Sequence, residues 1–234
     1  MPRPVNRTLD VATSFFATVA RLGAGVNASH PTARKPDKTL ELYEFEACPF
    51  CRKVREALTE LDLEAIVYPC PRGGRYREIV KEKGGKTMFP YLSDPNTGRA
   101  LYESDDIVRY LAETYGAGVP LLLRLGPFTT ATAMAASVWR PTRGRAARPS
   151  RVPAQPLELW SFEGSPFCRI VRETLCELEL PYHLHNVGKG SPARPAFIEA
   201  SGNMKVPYLK DPNTGAAMFE SADIVKYLEQ TYAA

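Results

Sequence analysis

The chain is one unit of 117 residues written twice. Cys51 falls on Cys168, Pro90 on Pro207, "YLSDPNTG" from Tyr91 on "YLKDPNTG" from Tyr208, and "YESDDIVRYLAETY" from Tyr102 on "FESADIVKYLEQTY" from Phe219. Each pair is separated by 168 − 51 = 117 positions, half of the 234 residues. The same offset carries "TLELYEF" (Thr39–Phe45) onto "PLELWSF" (Pro156–Phe162) and Arg7–Leu22 onto Arg124–Trp139. Any fold assigned to one half must therefore serve the other. Each copy opens with a helical lead-in and a Pro/Arg-rich connector.

Composition narrows the class without choosing a function. With 44% hydrophobic and 24% charged residues, the chain is an ordinary globular sequence, long enough for one large core or two small ones. Its net charge is only +4, and the basic excess sits in Arg140–Arg151 and near the N-terminus. That pattern reads as a solvated linker, and nucleic-acid binding is not expected. Five cysteines, Cys48, Cys51, Cys70, Cys168 and Cys176, are too few and too odd for a disulfide framework. They point to working thiols in a reducing compartment.

Periodicity orders the elements within a unit. "LELYEF" places Leu40, Leu42 and either Tyr43 or Phe45 as the inward residues of a buried strand. Val54, Leu58 and Leu61 then recur at i, i+4 and i+7, with Arg52, Lys53, Arg55 and Glu56 around the other side, as in an amphipathic helix. A strand at Ala65–Tyr68, a loop at Pro69–Gly74 and a weaker helix at Tyr76–Lys83 follow. Asp94-Pro95-Asn96-Thr97-Gly98 marks a turn between two short strands. Ser104 stands where an N-cap belongs, ahead of a helix burying Ile107, Val108 and Leu111, with Asp105 and Asp106 in its first turn. The order is β-α-β-α-β-β-α.

The two cysteines of Cys48-Pro49-Phe50-Cys51 open the first of these helices. A cysteine at a helix N-terminus faces unpaired N–H groups and the positive end of the dipole, which favour thiolate over thiol. Cys48 is that residue, with Pro49 fixing the turn and Arg52 adding nearby charge. Cys51, about one turn on, is close enough to close a disulfide and less accessible. Cys48 is thus the expected nucleophile and Cys51 the resolving thiol. A structural zinc site would need a second Cys or His pair in the same unit, and the unit lacks one.

The Cys-Pro-Phe-Cys motif, the Pro that opens the third strand and the Glu-Ser at the last helix, in this order of elements, resemble the thioredoxin-like domain of glutaredoxins and of the N-terminal half of glutathione transferases. The resemblance covers about Leu40–Tyr115 and again Leu157–Tyr232. It implies an α/β fold of two tandem thioredoxin-like domains, each with a mixed four-stranded sheet and a helical lead-in. The corresponding boundaries are a lead-in and connector at 1–37, a first domain at 38–118, a linker at 119–154 and a second domain at 155–234. The resemblance further implies a cis bond at Phe89-Pro90, with Phe89 and Val206, before Pro90 and Pro207, holding the cysteinyl part of glutathione. Glu103 and Ser104, with Glu220 and Ser221, match the pair that holds its γ-glutamyl group. Tandem copies of this kind are similar to proteins of cyanobacteria and plastids, which suggests a bacterial or cyanobacterial cytoplasm or a plastid stroma.

The second copy departs from the pattern. Ser165 cannot attack a disulfide, and Cys168 occupies the resolving position. Two readings stay open: Ser165 hydrogen-bonds a glutathione thiolate, as in some glutathione transferases, or the copy is a degenerate partner that completes an interface. Cys70 and Cys176 read as packed, and His183 and His185 as a solvated strand face, so no metal site is expected. Glutathione transferases follow this domain with a large helical domain that builds the electrophile pocket. Here only some forty linker residues follow Tyr115, so conjugation of bulky electrophiles is not expected.

The linker run "VPLLLRLGPFTTATAMAASVW" is interrupted by Arg124 and Gly126-Pro127, short of the roughly 20 apolar residues a membrane span requires. The N-terminal stretch has the Arg/Ser/Thr/Ala bias of an organellar transit peptide, although the repeat makes Arg7–Leu22 structural. Both lead-ins are expected to dock on the domains, one swapping over the other copy. The sequence therefore leads to a monomer with paired domains. It would be a glutathione-linked thiol-disulfide oxidoreductase, with glutathione as co-substrate and a protein disulfide or glutathionylated protein as substrate. A non-enzymatic two-domain binding module with a redox-sensing Cys pair is the main rival. A glutaredoxin that ligates an iron–sulfur cluster through Cys48 and glutathione is the weaker one.

Overall fold

The structure is a computed structural model that describes residues 7–32, 34–116, 126–138 and 140–234. The first half runs α1 (Arg7–Val19), β1 (Leu40–Glu44), α2 (Pro49–Glu60), β2 (Ala65–Pro69), α3 (Tyr76–Gly84), β3 (Tyr91–Asp94), β4 (Arg99–Leu101) and α4 (Ser104–Thr114). The second runs α5 (Gly126–Val138), β5 (Leu157–Ser161), α6 (Pro166–Glu177), β6 (Tyr182–Asn186), α7 (Arg194–Ser201), β7 (Tyr208–Lys210), β8 (Ala217–Phe219) and α8 (Ser221–Tyr232). Two tandem thioredoxin-like units, each preceded by a helix, are the fold the repeat calls for. Residues 1–6, Ala33, the stretch 117–125 and Trp139 lie outside the described residues. No described helix is long and apolar enough to cross a membrane.

Strand alternation sorts the side chains to two layers. Leu40 and Leu42 of β1 enter a core with Val54, Leu58, Leu92, Ile107 and Leu111, between the sheet and helices α2 and α4. Tyr43 points to the opposite face and packs with Tyr76, Val80 and Tyr91 under α3, while Phe45 lies beyond the strand's end. In the second unit Leu157 and Leu159 play the part of Leu40 and Leu42, and Trp160 that of Tyr43, packed with Phe197 and Tyr208.

The two four-stranded sheets are not separate. They join into one eight-stranded sheet in the order β4-β3-β1-β2-β6-β5-β7-β8, with β2 and β6 antiparallel at the seam. Ile66 pairs with His183, and 183 − 66 = 117, so the residue at the seam's centre pairs with its own repeat-mate. Each strand would otherwise be an open edge with unpaired N–H and C=O groups, and the pairing closes both. His183 and His185 are consequently not a solvated face, since their side chains are only 19% and 17% exposed.

The lead-in helices are exchanged in both directions. α1, ahead of the first unit, packs on α6 of the second, while α5, ahead of the second, packs on α2 of the first. Polar contacts fix the crossings: the Ser14 hydroxyl donates to the Pro166 carbonyl (2.8 Å), Thr18 to that of Gly164 (3.0 Å), and Lys53 Nζ to Thr130 Oγ1 (3.2 Å). Nor is the basic linker solvated throughout, although Arg145 and Arg151 are exposed. Arg140 is buried against Asp10 and Glu173, and Arg148 pairs with Glu177 (3.1 Å) and Glu229. Ser104 is the first residue of α4 rather than its cap, and Glu103 occupies the cap position.

Candidate active site

Cys48 caps α2 with extended backbone (φ −77°, ψ 122°), and Pro49 supplies the preset φ of the first turn. The Cys51 N–H donates to Cys48 Sγ at 3.3 Å. Hydrogen bonding from Cys51 and from the helix's first backbone N–H groups holds the Cys48 thiol below its ordinary range, although burial and the Glu44 charge oppose this. Burial and the neighbouring Cys48 push Cys51 well above it. Of the two, Cys48 is the more acidic thiol and Cys51 the one that keeps its proton. Their difference in access is small, since Cys48 is 4% exposed and Cys51 0%. Both thiols are free.

Arg52, expected to assist Cys48, is buried with its Nε and Nη1 making no hydrogen bond, and its charge acts on Glu163 and Arg169 of the other unit. The charge beside the thiols is instead that of Glu44, whose carboxyl burial pushes up to about 7 despite Arg55. A raised folded-state pKa means that Glu44's contribution to stability is full below about pH 4.5 and is lost as pH rises through about 7. Glu44→Gln keeps an acceptor for Arg55 and removes the titration. Urea unfolding between about pH 5 and about pH 8 should be flatter for the variant than for the parent. The Cys48 thiol should become more acidic in the same variant, read by the pH dependence of alkylation.

The other expected residues of the first unit have distinctive backbone geometry. Phe89-Pro90 is cis. The Phe89 ring lies edge-on to Phe45 (6.1 Å) and under the Arg77 guanidinium (4.7 Å). Glu103 holds a left-handed φ of 63°, uncommon for a residue with a Cβ, and turns the chain so that Ser104 is buried at the start of α4.

The second unit reproduces this geometry. Ser165 caps α6 at φ −75°, ψ 121°, and accepts the Cys168 N–H at 3.3 Å. Serine is among the best N-caps, so the helix keeps its start while losing its nucleophile. Val206-Pro207 is cis and Glu220 has φ 66°. Phe167, Lys205, Val206, Pro207, Glu220 and Ser221 line a cavity of about 210 Å³. Lys205, where the first unit has Met88, brings a cation to its rim.

Sequence reading missed the buried charges between the units. Arg55 meets Glu44 and reaches Glu163 of the other unit at 2.9 Å, while Arg172, its repeat-mate, reaches Glu46 at 3.1 Å and Glu163 at 2.6 Å. The Glu163 N–H donates to Thr59 Oγ1 (3.2 Å) and, in the mirrored place, the Glu46 N–H donates to Cys176 Sγ (3.4 Å). A signal existed in that Glu46, Arg52 and Arg55 recur 117 residues later as Glu163, Arg169 and Arg172.

Residues 42–119 and 159–234 each match the family model described as glutathione S-transferase, N-terminal domain. The glutathione S-transferase-like protein gedE of Aspergillus terreus is 32% identical over 77 residues, covering 33% of this chain and 34% of that protein. The glutathione S-transferase-like protein tpcF of Aspergillus fumigatus is 32% identical over 78 residues, with the same 33% and 34% coverage. The chain thus spans about a third of the length of these relatives. A solved structure titled "Leishmania TDR1 - a unique trimeric glutathione transferase" overlaps 84% of this chain and 68% of its own, with 15% identity and a TM-score of 0.31. Matched in both halves, the chain belongs to the family of glutathione S-transferase N-terminal domains and carries that domain twice.

Proposed function

We propose that the first unit is a glutathione-linked thiol-disulfide oxidoreductase and that the second binds glutathione without redox chemistry of its own. One observation carries the reading: Cys48 Sγ sits at the N-cap of α2, accepts the Cys51 N–H, and has its pKa lowered while that of Cys51 is raised. In the proposed cycle the Cys48 thiolate attacks the glutathione sulfur of a glutathionylated protein. The protein–glutathione S–S bond breaks, a Cys48–glutathione disulfide forms, and the protein thiolate leaves and takes a proton. A second glutathione thiolate then attacks that disulfide, giving oxidised glutathione and returning Cys48 as thiolate. Cys51, buried and protonated, is the slower resolving group. Phe89 and Pro90 would align glutathione's backbone, while Glu103, Ser104 and the first turn of α4 would receive its γ-glutamyl end.

The cavity lined by Phe167, Val206 and Ser221 favours retained binding in the second unit over a purely scaffolding role, with Val206, Pro207, Glu220 and Ser221 as the cradle and Lys205 near a carboxylate. We place the protein in a reducing compartment as a monomer, with boundaries near residues 38–118 and 155–234 for the two domains. Two measurements test the function: the thiol pKa of Cys48 by pH-dependent alkylation, and turnover of a glutathionylated peptide. A pKa well below the roughly 8.5 of a free thiol with measurable turnover supports it. An ordinary pKa with no turnover leaves a two-domain binding protein.

A further inference from the structure

The seam between the units brings together four residues distant in sequence. His183 and His185 lie two apart on β6, on the face that carries Trp160 and Phe197 and away from the α2/α6 core. Glu64, just before β2, comes from the first unit, and Glu158 from β5. Each imidazole directs one nitrogen to each carboxylate. His183 Nε2 is 3.2 Å from Glu64 Oε2, and His185 Nδ1 is 3.3 Å from Glu64 Oε1. The opposite nitrogens face Glu158, His183 Nδ1 at 3.6 Å and His185 Nε2 in hydrogen-bond contact.

We propose that Glu64, His183 and His185 bind a zinc-class divalent cation that clips the two units together, with Glu158 orienting the imidazoles from behind. Bonds of about 2.0–2.1 Å to a tetrahedral ion put its ligand atoms roughly 3.3 Å apart, close to the separation of each nitrogen from one Glu64 oxygen, and one ligand atom from each of the three residues lies within 4.8 Å of the others. A ligating histidine normally gives its second nitrogen to a carboxylate, and Glu158 is so placed for both rings. Trp160 stacks on His185 at 4.4 Å and 16°, fixing that ring. His183 Nε2 is buried and makes no hydrogen bond, although Glu64 lies beside it. The site occurs once in the duplicated chain, since the repeat-mates of His183, His185 and Glu64 are Ile66, Tyr68 and Pro181.

The test is zinc titration of the full-length chain by calorimetry in a Cys48→Ser/Cys51→Ser background, which removes the competing thiols of that motif. One equivalent should bind. His183→Ala and His185→Ala should each weaken it by roughly 100-fold or more, and Glu158→Gln by roughly 10- to 100-fold. Cobalt in the same protein should show tetrahedral d–d absorption without the thiolate charge-transfer band. Zinc should raise the thermal midpoint of the parent and not of the histidine variants. Absence of stoichiometric uptake by the Cys48→Ser/Cys51→Ser chain overturns the proposal, as does uptake unchanged in His183→Ala. Should a histidine variant fail to fold, Glu64→Gln, with a side chain 39% exposed in the parent, decides in its place.

Discussion

Cys48→Ser should reduce turnover of a glutathionylated peptide to the uncatalysed background, a loss on the order of 10³-fold or more. The protein itself should stay folded, because the second unit already carries this exchange. Ser165 caps α6 with the same backbone angles and the same 3.3 Å bond that Cys48 provides for α2. Loss of activity with an unchanged melting curve therefore isolates the sulfur chemistry from the capping role. Cys51→Ser should keep turnover by glutathione in part, since a buried thiol with a raised pKa contributes little thiolate. Full activity in Cys48→Ser would mean that the thiol is not the nucleophile, and a coupled glutathione-reductase assay reads either result.

Arg55→Ala should destabilise the chain by about 3–5 kcal/mol, the usual cost of leaving buried carboxylates without their cation. For a chain of this size that is a fall of about 6–20 °C in melting temperature. Arg55 is 1% exposed and joins Glu44 of its own unit to Glu163 of the other, so its removal leaves uncompensated charge on both sides of the seam. Arg109→Ala is the comparison. That arginine is 59% exposed and pairs with Asp106 at 3.3 Å along α4. A surface pair of this kind is worth about 0–1 kcal/mol. Equal, small effects of the two substitutions would show that the buried network does not hold the units together. A double-mutant cycle between Arg55 and Glu163 would measure their coupling across the seam directly.

The duplication, the order of elements and the placement of Cys48 at the start of a helix are legible in the sequence because each depends on local signals. Two-residue alternation marks β1, the Leu spacing marks α2, and Pro49 beside a capping residue marks where α2 begins. The lead-in helix α1 was legible for another reason, its recurrence as α5. Tertiary structure alone decided what covers these elements. The face of α2 that carries Arg52, Lys53, Arg55 and Glu56 reads as solvent-facing, yet all four are at most 3% exposed. Periodicity reports which residues share a face and not what lies across from it. A charged face is read as solvated because burying unpaired charge is costly, and the partners that remove the cost, among them Arg21, Asp105 and Glu163, lie on other parts of the chain. The same holds for Glu64, Glu158, His183 and His185. Nothing local joins them, and only the antiparallel pairing of β2 with β6, which closes two open strand edges at once, sets two imidazoles between two carboxylates.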